Sequence, residues 1–292
     1  MRNILLLTLL SWTCLAQQQV NLTNLAAFQH PSNNWTIEGA VQSAYSDTTL
    51  QVATGQGILV NTLRNGKYKR SDDLTFAFSH GDIHLMFDFM LPKKGNSGVY
   101  LQGRYEVQLA DSWTKKQLNF GDCGGIYERW DDARGKGKEG YEGYAPMQNA
   151  SKAPGLWQHM EIDFQAPRFD ANGKKIQNAV FKKVILNGIL IHENLEMLGV
   201  TRGAVSLQEV ASAPILVQGD HTQVAIKNIQ YETYDKPSVK MGSIKYDYYT
   251  GKFTEPIIGA AKPIESGKLD KLTYKVIKAK NDYLIHYQAD LD

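Results

Sequence analysis

The sequence predicts an all-β sandwich, on three observations. From Trp35 to Tyr234 short runs of alternating apolar residues recur between turn residues. No helical stripe of any length interrupts them. The run VILNGILIH centres on Asn187-Gly188, the pair that supplies the positive φ angles of a two-residue hairpin. With 292 residues and 42% hydrophobic content the chain can bury a substantial core.

Taken in order, the first residues, MRNILLLTLLSWTCLA, carry a basic start at Arg2, an apolar run from Ile4 to Leu10 and small residues near Ala16. They are expected to be a signal peptide over 1–16, which places the mature protein in the periplasm or outside the cell. The run is too short and interrupted for an anchor, which needs about 20 apolar residues. Cys14 raises lipidation, but Ser11, Trp12 and Thr13 before it lack the usual leucine, so export is preferred. Cleavage after Ala16 leaves Cys123 as the one thiol, with no disulfide to form, and a packed thiol is preferred over a nucleophile.

The sandwich is expected over 17–234. Its candidate strands are Ile58 to Asn61, Ile83 to Met90, Gly98 to Gln102, Tyr105 to Ala110, Gln158 to Phe164, Ala179 to Leu186, Ile189 to His192, Ala204 to Val210 and Val224 to Glu232. In Asn96 to Asp111, Val99, Leu101, Tyr105, Val107 and Leu109 share one face by alternation. Tyr100, Gln102, Glu106 and Gln108 share the other, a polar face suited to a sugar ring. Between Gly121 and Ala153 the pattern breaks into a long Gly-rich loop holding Tyr127, Trp130, Tyr141 and Tyr144. Loops longer than about 12 to 15 residues are usually functional, although these rings could equally pin the loop to the body. Residues 235–268, punctuated by Pro237, Pro256 and Pro263, are expected to be an extended linker. Residues 269–292 turn strand-like again, either packing back on the sandwich or opening a further module.

The formal charge of +2, from 32 basic and 30 acidic residues, offers no field for nucleic acid or membrane, so neutral partners are expected. No P-loop, GxGxxG or HExxH is present. Asp111, Asp122, Asp131 and Asp132 could supply oxygen to a divalent cation such as calcium, but their spacing matches no defined loop, and solvated acids are the preferred reading. No cofactor is identified. Sequons occur at Asn21, Asn34 and Asn149.

Five motifs in order, NSGVYLQGRYEVQLADS, GGIYERWD, NASKAPGLWQHMEIDFQAPRF, the hairpin ending in IHEN, and GAVSLQE, resemble the 3-keto-disaccharide hydrolase domain over about Trp35 to Tyr234. The resemblance implies a concanavalin A-like jelly-roll sandwich and cleavage of glycosides oxidised at carbon 3. After Leu269 the tail is similar, over a short stretch, to the start of a sugar-associated β-module. Where the family continues SLQ with an acid, His and Gly, this chain has Glu209, Val210 and Ala211, so no histidine role carries over there.

A ketone at carbon 3 makes the carbon 2 hydrogen acidic. A base can then remove it, the aglycone can leave carbon 1 and water can add back. Glu106 is the candidate base, Asp111 the reserve, and Arg104 the candidate oxyanion partner. Tyr100, Gln102, Gln108, Tyr127, Trp130, Asn149, Trp157 and Gln208 are candidate substrate contacts for an oxidised disaccharide or glycoside. The bland readings are a Glu106–Arg104 surface pair and core packing of Trp157. A non-catalytic carbohydrate-binding module is one alternative. A two-carboxylate endoglucanase is another, but Gln108 and Ala110 stand where its second acid would follow Glu106, unless Glu161 or Glu209 supplies one from elsewhere.

Overall fold

The structure, a computed structural model, describes residues 17–62, 67–234, 244–251, 262–269 and 283–288. The expected signal peptide over 1–16 lies outside them. The chain divides into two units, the first ending at Asp235 and the second beginning at Lys236.

In the first unit two antiparallel sheets face each other. The larger has the strand order Ile189–Met197, Ala179–Leu186, Gln158–Gln165, Ile83–Met90, Val224–Thr233, Gln51–Asn61 and Trp35–Gln42, with Gln18–Gln19 also paired to Val224–Thr233. The smaller runs Phe28–Gln29, Leu74–His80, Ala213–Val217, Asn96–Leu101 and Tyr105–Ala110. Alternation decides what each strand buries. Ile83, Leu85, Phe87 and Phe89 turn into the core from the larger sheet, as do Met160, Ile162 and Phe164. Val99, Leu101, Tyr105, Val107 and Leu109 meet them from the smaller one. A void of about 10 Å³ between the layers, lined by Phe76, Leu85, Phe87, Val99, Ile215, Val217, Ile226 and Ile229, shows how closely the two faces pack. The architecture is a jelly-roll β-sandwich.

The Asn187-Gly188 hairpin is present: Leu186 pairs with Ile189, and both turn residues have positive φ, 53° and 81°. Asn187 also ties the turn down, its Oδ1 accepting from His159 N at 2.9 Å and its Nδ2 donating to Ala150 O at 2.8 Å.

Several expectations need correction. Ala204 to Val210 is a loop, not a strand: Val205 and Leu207 are 57% and 85% exposed, so its alternation serves no buried face. Leu74–His80 and Ala213–Val217 are additional strands. The second is disguised by Pro214, which is tolerated because the register shifts by a bulge between Pro214 and Leu216. The long loop contains a short ladder, Arg129–Trp130 with Gly140–Tyr141. Buried Cys123 is unpaired, and burial pushes its thiol up to about 11, so it is a packed residue.

In the second unit the expected linker contains the strands Ile244–Thr250 and Glu265–Leu269, both paired, together with Tyr283–Gln288, in one three-stranded sheet. Alternating tyrosines explain it: Tyr246 and Tyr248 form a small core with Leu269, Ile285 and Tyr287. Residues 235–243, 252–261, 270–282 and 289–292 lie outside the described residues.

Candidate functional site

The polar face of Asn96–Leu101 and Tyr105–Ala110 forms the floor of a cleft of about 250 Å³. Antiparallel pairing sets Tyr100 directly opposite Glu106, and Gly98 opposite Gln108. Gly98 creates the room. A Cβ there would sit 3.0 Å from Glu106 Cδ and 3.1 Å from Cγ, so the Glu106 side chain lies across the glycine.

Glu106 is 2% exposed. Burial pushes its carboxyl up to about 8, against the opposing pull of the Tyr100 hydrogen bond and the Arg70 charge. Burial and Glu106 together push the Tyr100 phenol upward, and the Tyr127 phenol moves the same way for the same causes. The Gln108 amide lies between this acid and Asn96: its NH2 donates to Glu106 Oε1 at 3.0 Å and to Ser97 O at 3.3 Å, with its other side 2.8 Å from the Asn96 side chain.

Loops supply the walls, which hold Arg70, Tyr127, Arg202, Gly203, Gln218 and His221. Arg70 donates to Gly203 O and pairs with Asp73 at 3.0 Å. Arg202 stacks on Trp130, its guanidinium 3.7 Å from the ring centre. His221 is held through Nδ1 by Asp220. Gln218 is anchored by its backbone, its N donating to Gly98 O at 2.8 Å, while its buried Oε1 has no hydrogen-bond partner. That atom is a spare acceptor on the wall. The outer edge of Tyr105–Ala110 is covered. Tyr127 N donates to Glu106 O at 3.2 Å and Gln108 N to Gly125 O at 2.8 Å. On the same edge Thr201 Oγ1 accepts from Glu106 N at 3.1 Å and donates to Arg104 O at 3.0 Å.

Of the residues expected from sequence, the structure brings Tyr100, Glu106, Gln108 and Tyr127 together. Gln102 is instead buried in the turn at φ 54°, its Nε2 donating to Ala211 O at 3.0 Å and its N to His80 Nε2 at 3.0 Å. His80 can accept because burial lowers it to about 4 and keeps it neutral. Arg104 braces that turn, donating from Nε to Gln208 O at 2.6 Å and from NH1 to Gln102 O at 2.8 Å, so it does not line the cleft. Gln208 takes part only through that carbonyl, and its side chain is exposed. Asp111 accepts from Lys94 N at 2.9 Å beyond the strand end. Asn149 Nδ2 ties its loop to Ser112 O at 2.8 Å. Trp157 packs against Leu50, Ile58, Val60, Met90 and Ala225, with Lys227 Nζ 4.1 Å from its ring centre. Trp130 lines a second cavity next to the first.

Six lining residues escaped sequence reading: Arg70, Asn96, Arg202, Gly203, Gln218 and His221. A signal existed for two of them. Gln218 and His221 follow Ala213–Val217 directly, and that strand was the unread one. Among the described residues, Glu106 is the sole carboxylate that lines the cleft. Glu161 sits on the larger sheet 3.6 Å from His159 Nε2, and Glu209 accepts from Tyr105 OH at 2.7 Å and pairs with Lys175, so neither supplies a second acid to the cleft. The four aspartates considered for a cation have protein partners: Asp111 on Lys94 N, Asp122 on Lys115, Asp131 on Ala133 N and Asp132 on Trp130 Nε1.

Residues 22–232 match the profile of the 3-keto-alpha-glucoside-1,2-lyase-like domain. A crystal structure from Parabacteroides distasonis ATCC 8503, provisionally assigned as a glycosyl hydrolase, is 22% identical with TM-score 0.47, covering 73% of this chain and 84% of that one. A second from the same organism, with the same assignment, is 17% identical with TM-score 0.48, covering 74% and 99%. The endo-beta-1,4-glucuronan lyase of the fungus Trichoderma reesei is 12% identical with TM-score 0.36, covering 73% and 94%. A comparison with curated proteins finds no match. With its sandwich matched almost from end to end, the chain is a carbohydrate-active enzyme that belongs to the 3-keto-alpha-glucoside-1,2-lyase-like domain family.

Proposed function

We propose that the cleft binds the ring of a 3-keto-glycoside and that Glu106 acts as its base. The observation that carries this is a single buried carboxylate, raised to about 8, set among neutral and cationic donors with no second acid lining the cleft. In the first step the bond from carbon 2 to hydrogen breaks and Glu106 takes the proton. The electron pair moves into an enediolate whose charge rests on the carbon 3 oxygen, toward the guanidinium groups of Arg70 and Arg202 on the wall. The bond from carbon 1 to the glycosidic oxygen then breaks, and the aglycone leaves with a proton supplied from the lining, where protonated Glu106, Tyr127 and His221 are the candidate carriers. Water adding across carbons 1 and 2 completes hydrolysis. Gln218 Oε1 is free to accept from a ring hydroxyl. The proposal includes export through residues 1–16 and an oxidised glycoside or disaccharide met outside the cytoplasm.

Turnover of a 3-keto-glucoside beside its parent glucoside tests this reading. The keto sugar alone should be cleaved, and Glu106→Gln should lower kcat/KM by about 10³-fold or more. Full activity in that variant would remove Glu106 from the mechanism. Binding of both sugars without turnover would instead make the domain a carbohydrate-binding module.

A further inference from the structure

A second cavity of about 350 Å³ adjoins the Glu106 cleft, shares Arg202 and Gly203 with it and is walled by Trp130, Val200, Ala204 and Leu207. Part of the polar wall of this cavity is engaged within the protein. Asp132 Oδ1 accepts from Trp130 Nε1 at 2.8 Å, and Asp131 Oδ1 accepts from Ala133 N at 2.9 Å. Thr201 Oγ1 is used on Arg104 O and Glu106 N. Arg202 lies on the Trp130 ring with Glu128 3.7 Å from its NH1. Asp131, Asp132 and Arg202 are exposed and keep hydrogen-bonding capacity toward solvent, but the side chains of Val200, Ala204 and Leu207 offer a buried sugar hydroxyl no partner. Leu207 stands 85% exposed at this cavity, a large apolar side chain left uncovered by the described residues.

Resting on the 3-keto-glycoside reading of the first cleft, we infer that the second cavity is the aglycone subsite and that it takes a flat, uncharged aromatic group rather than a sugar. Its position beside the Glu106 cleft, across the shared Arg202 and Gly203, is what assigns the occupant: a group bonded to carbon 1 of a ring held over Glu106 would extend past those two residues. The carboxylates of Asp131 and Asp132 on its wall select against an anionic aglycone. Burial of the aromatic face against Leu207, Val200 and Ala204 supplies the affinity.

The 3-keto forms of benzyl glucoside, methyl glucoside and a glucose disaccharide test this. All three leave as alkoxides, so chemical leaving ability is nearly matched. The benzyl substrate should exceed the other two by about tenfold in kcat/KM, and Leu207→Ser should bring the benzyl-to-methyl ratio close to one. Parity of benzyl and methyl in the native enzyme, or a preference for the disaccharide, overturns the subsite. If no keto sugar is turned over, the base mechanism fails instead. The subsite is then decided by affinity: native protein should bind benzyl glucoside about tenfold more tightly than methyl glucoside, with the difference lost in Leu207→Ser, and equal affinities overturn it.

Discussion

Replacing Glu106 by Gln keeps the shape of the side chain while removing its titration, which converts a catalytic proposal into a stability measurement. The ordinary carboxyl value is 4.5, and burial moves Glu106 to about 8 in the folded chain. Below 4.5 both folded and unfolded chains hold the proton, so pH has no leverage through this group. Between 4.5 and 8 the unfolded chain releases the proton and the folded chain keeps it, so stability falls as pH rises. At about 1.36 kcal/mol per pH unit the loss reaches roughly 5 kcal/mol by pH 8, and it then levels off. Gln resembles the neutral acid and carries no such loss. The variant should therefore match the native protein near pH 4.5 and exceed it by about 3 to 5 kcal/mol at pH 8.5, or roughly 10 °C in Tm. Trp35, Trp113, Trp130 and Trp157 all lie in the sandwich, so tryptophan fluorescence during thermal or urea unfolding follows the relevant unit. A native-to-variant gap that stays constant between pH 5 and 8 would refute the reasoning, because it would mean that Glu106 is ionised at its ordinary pH in the folded state.

The same shift fixes the rate profile: kcat/KM on the keto sugar should climb about tenfold per pH unit below 8 and flatten above it, and a profile flat from pH 6 upward contradicts a Glu106 base held up to about 8. Gly98→Ala places a methyl 3.0 Å from Glu106 Cδ, so activity should drop by about 100-fold while the fold loses only about 1 to 3 kcal/mol, measured by kinetics and urea unfolding on one preparation. Arg104→Met should do the opposite. It removes the bonds to Gln208 O and Gln102 O, costing about 1 to 3 kcal/mol of stability, with kcat changed by less than about threefold; a large loss of kcat in a stable variant would return Arg104 to the chemistry.

How much of this was legible in the sequence depends on which force places each residue. The strands that carry the floor follow a two-residue period, so Val99, Leu101, Tyr105, Val107 and Leu109 announce the buried face and, by subtraction, Tyr100, Glu106 and Gln108 announce the other. Periodicity fails at the turn between them. Gln102 continues the pattern on paper, but its φ of 54° leaves the pleat, and the side chain is spent on His80 and Ala211 carbonyls. Arg70, Arg202 and His221 reach the cleft from three loops far apart in the chain, and only tertiary packing joins them. Pro214 hid a central strand of the smaller sheet because the bulge that accommodates it is set by its partner Leu74–His80. The tyrosine alternation of Ile244–Thr250 was present in the linker text, but three prolines around it dominated the reading.

The strand that bears Glu106 is the last in its sheet, and its free side is closed by two pieces of loop, around Gly124–Tyr127 and Thr201–Val205. An uncovered strand of this kind is a template for pairing with other chains. Both pieces also wall the two cavities proposed to hold the substrate. Solubility and substrate choice are therefore written into the same few residues: a change that widens the pocket by loosening Thr201–Val205 also bares the strand beneath it. Engineered or evolving variants should reach new substrates more safely at Leu207 and Trp130, whose side chains line the pocket without supplying the backbone bonds that cap the strand.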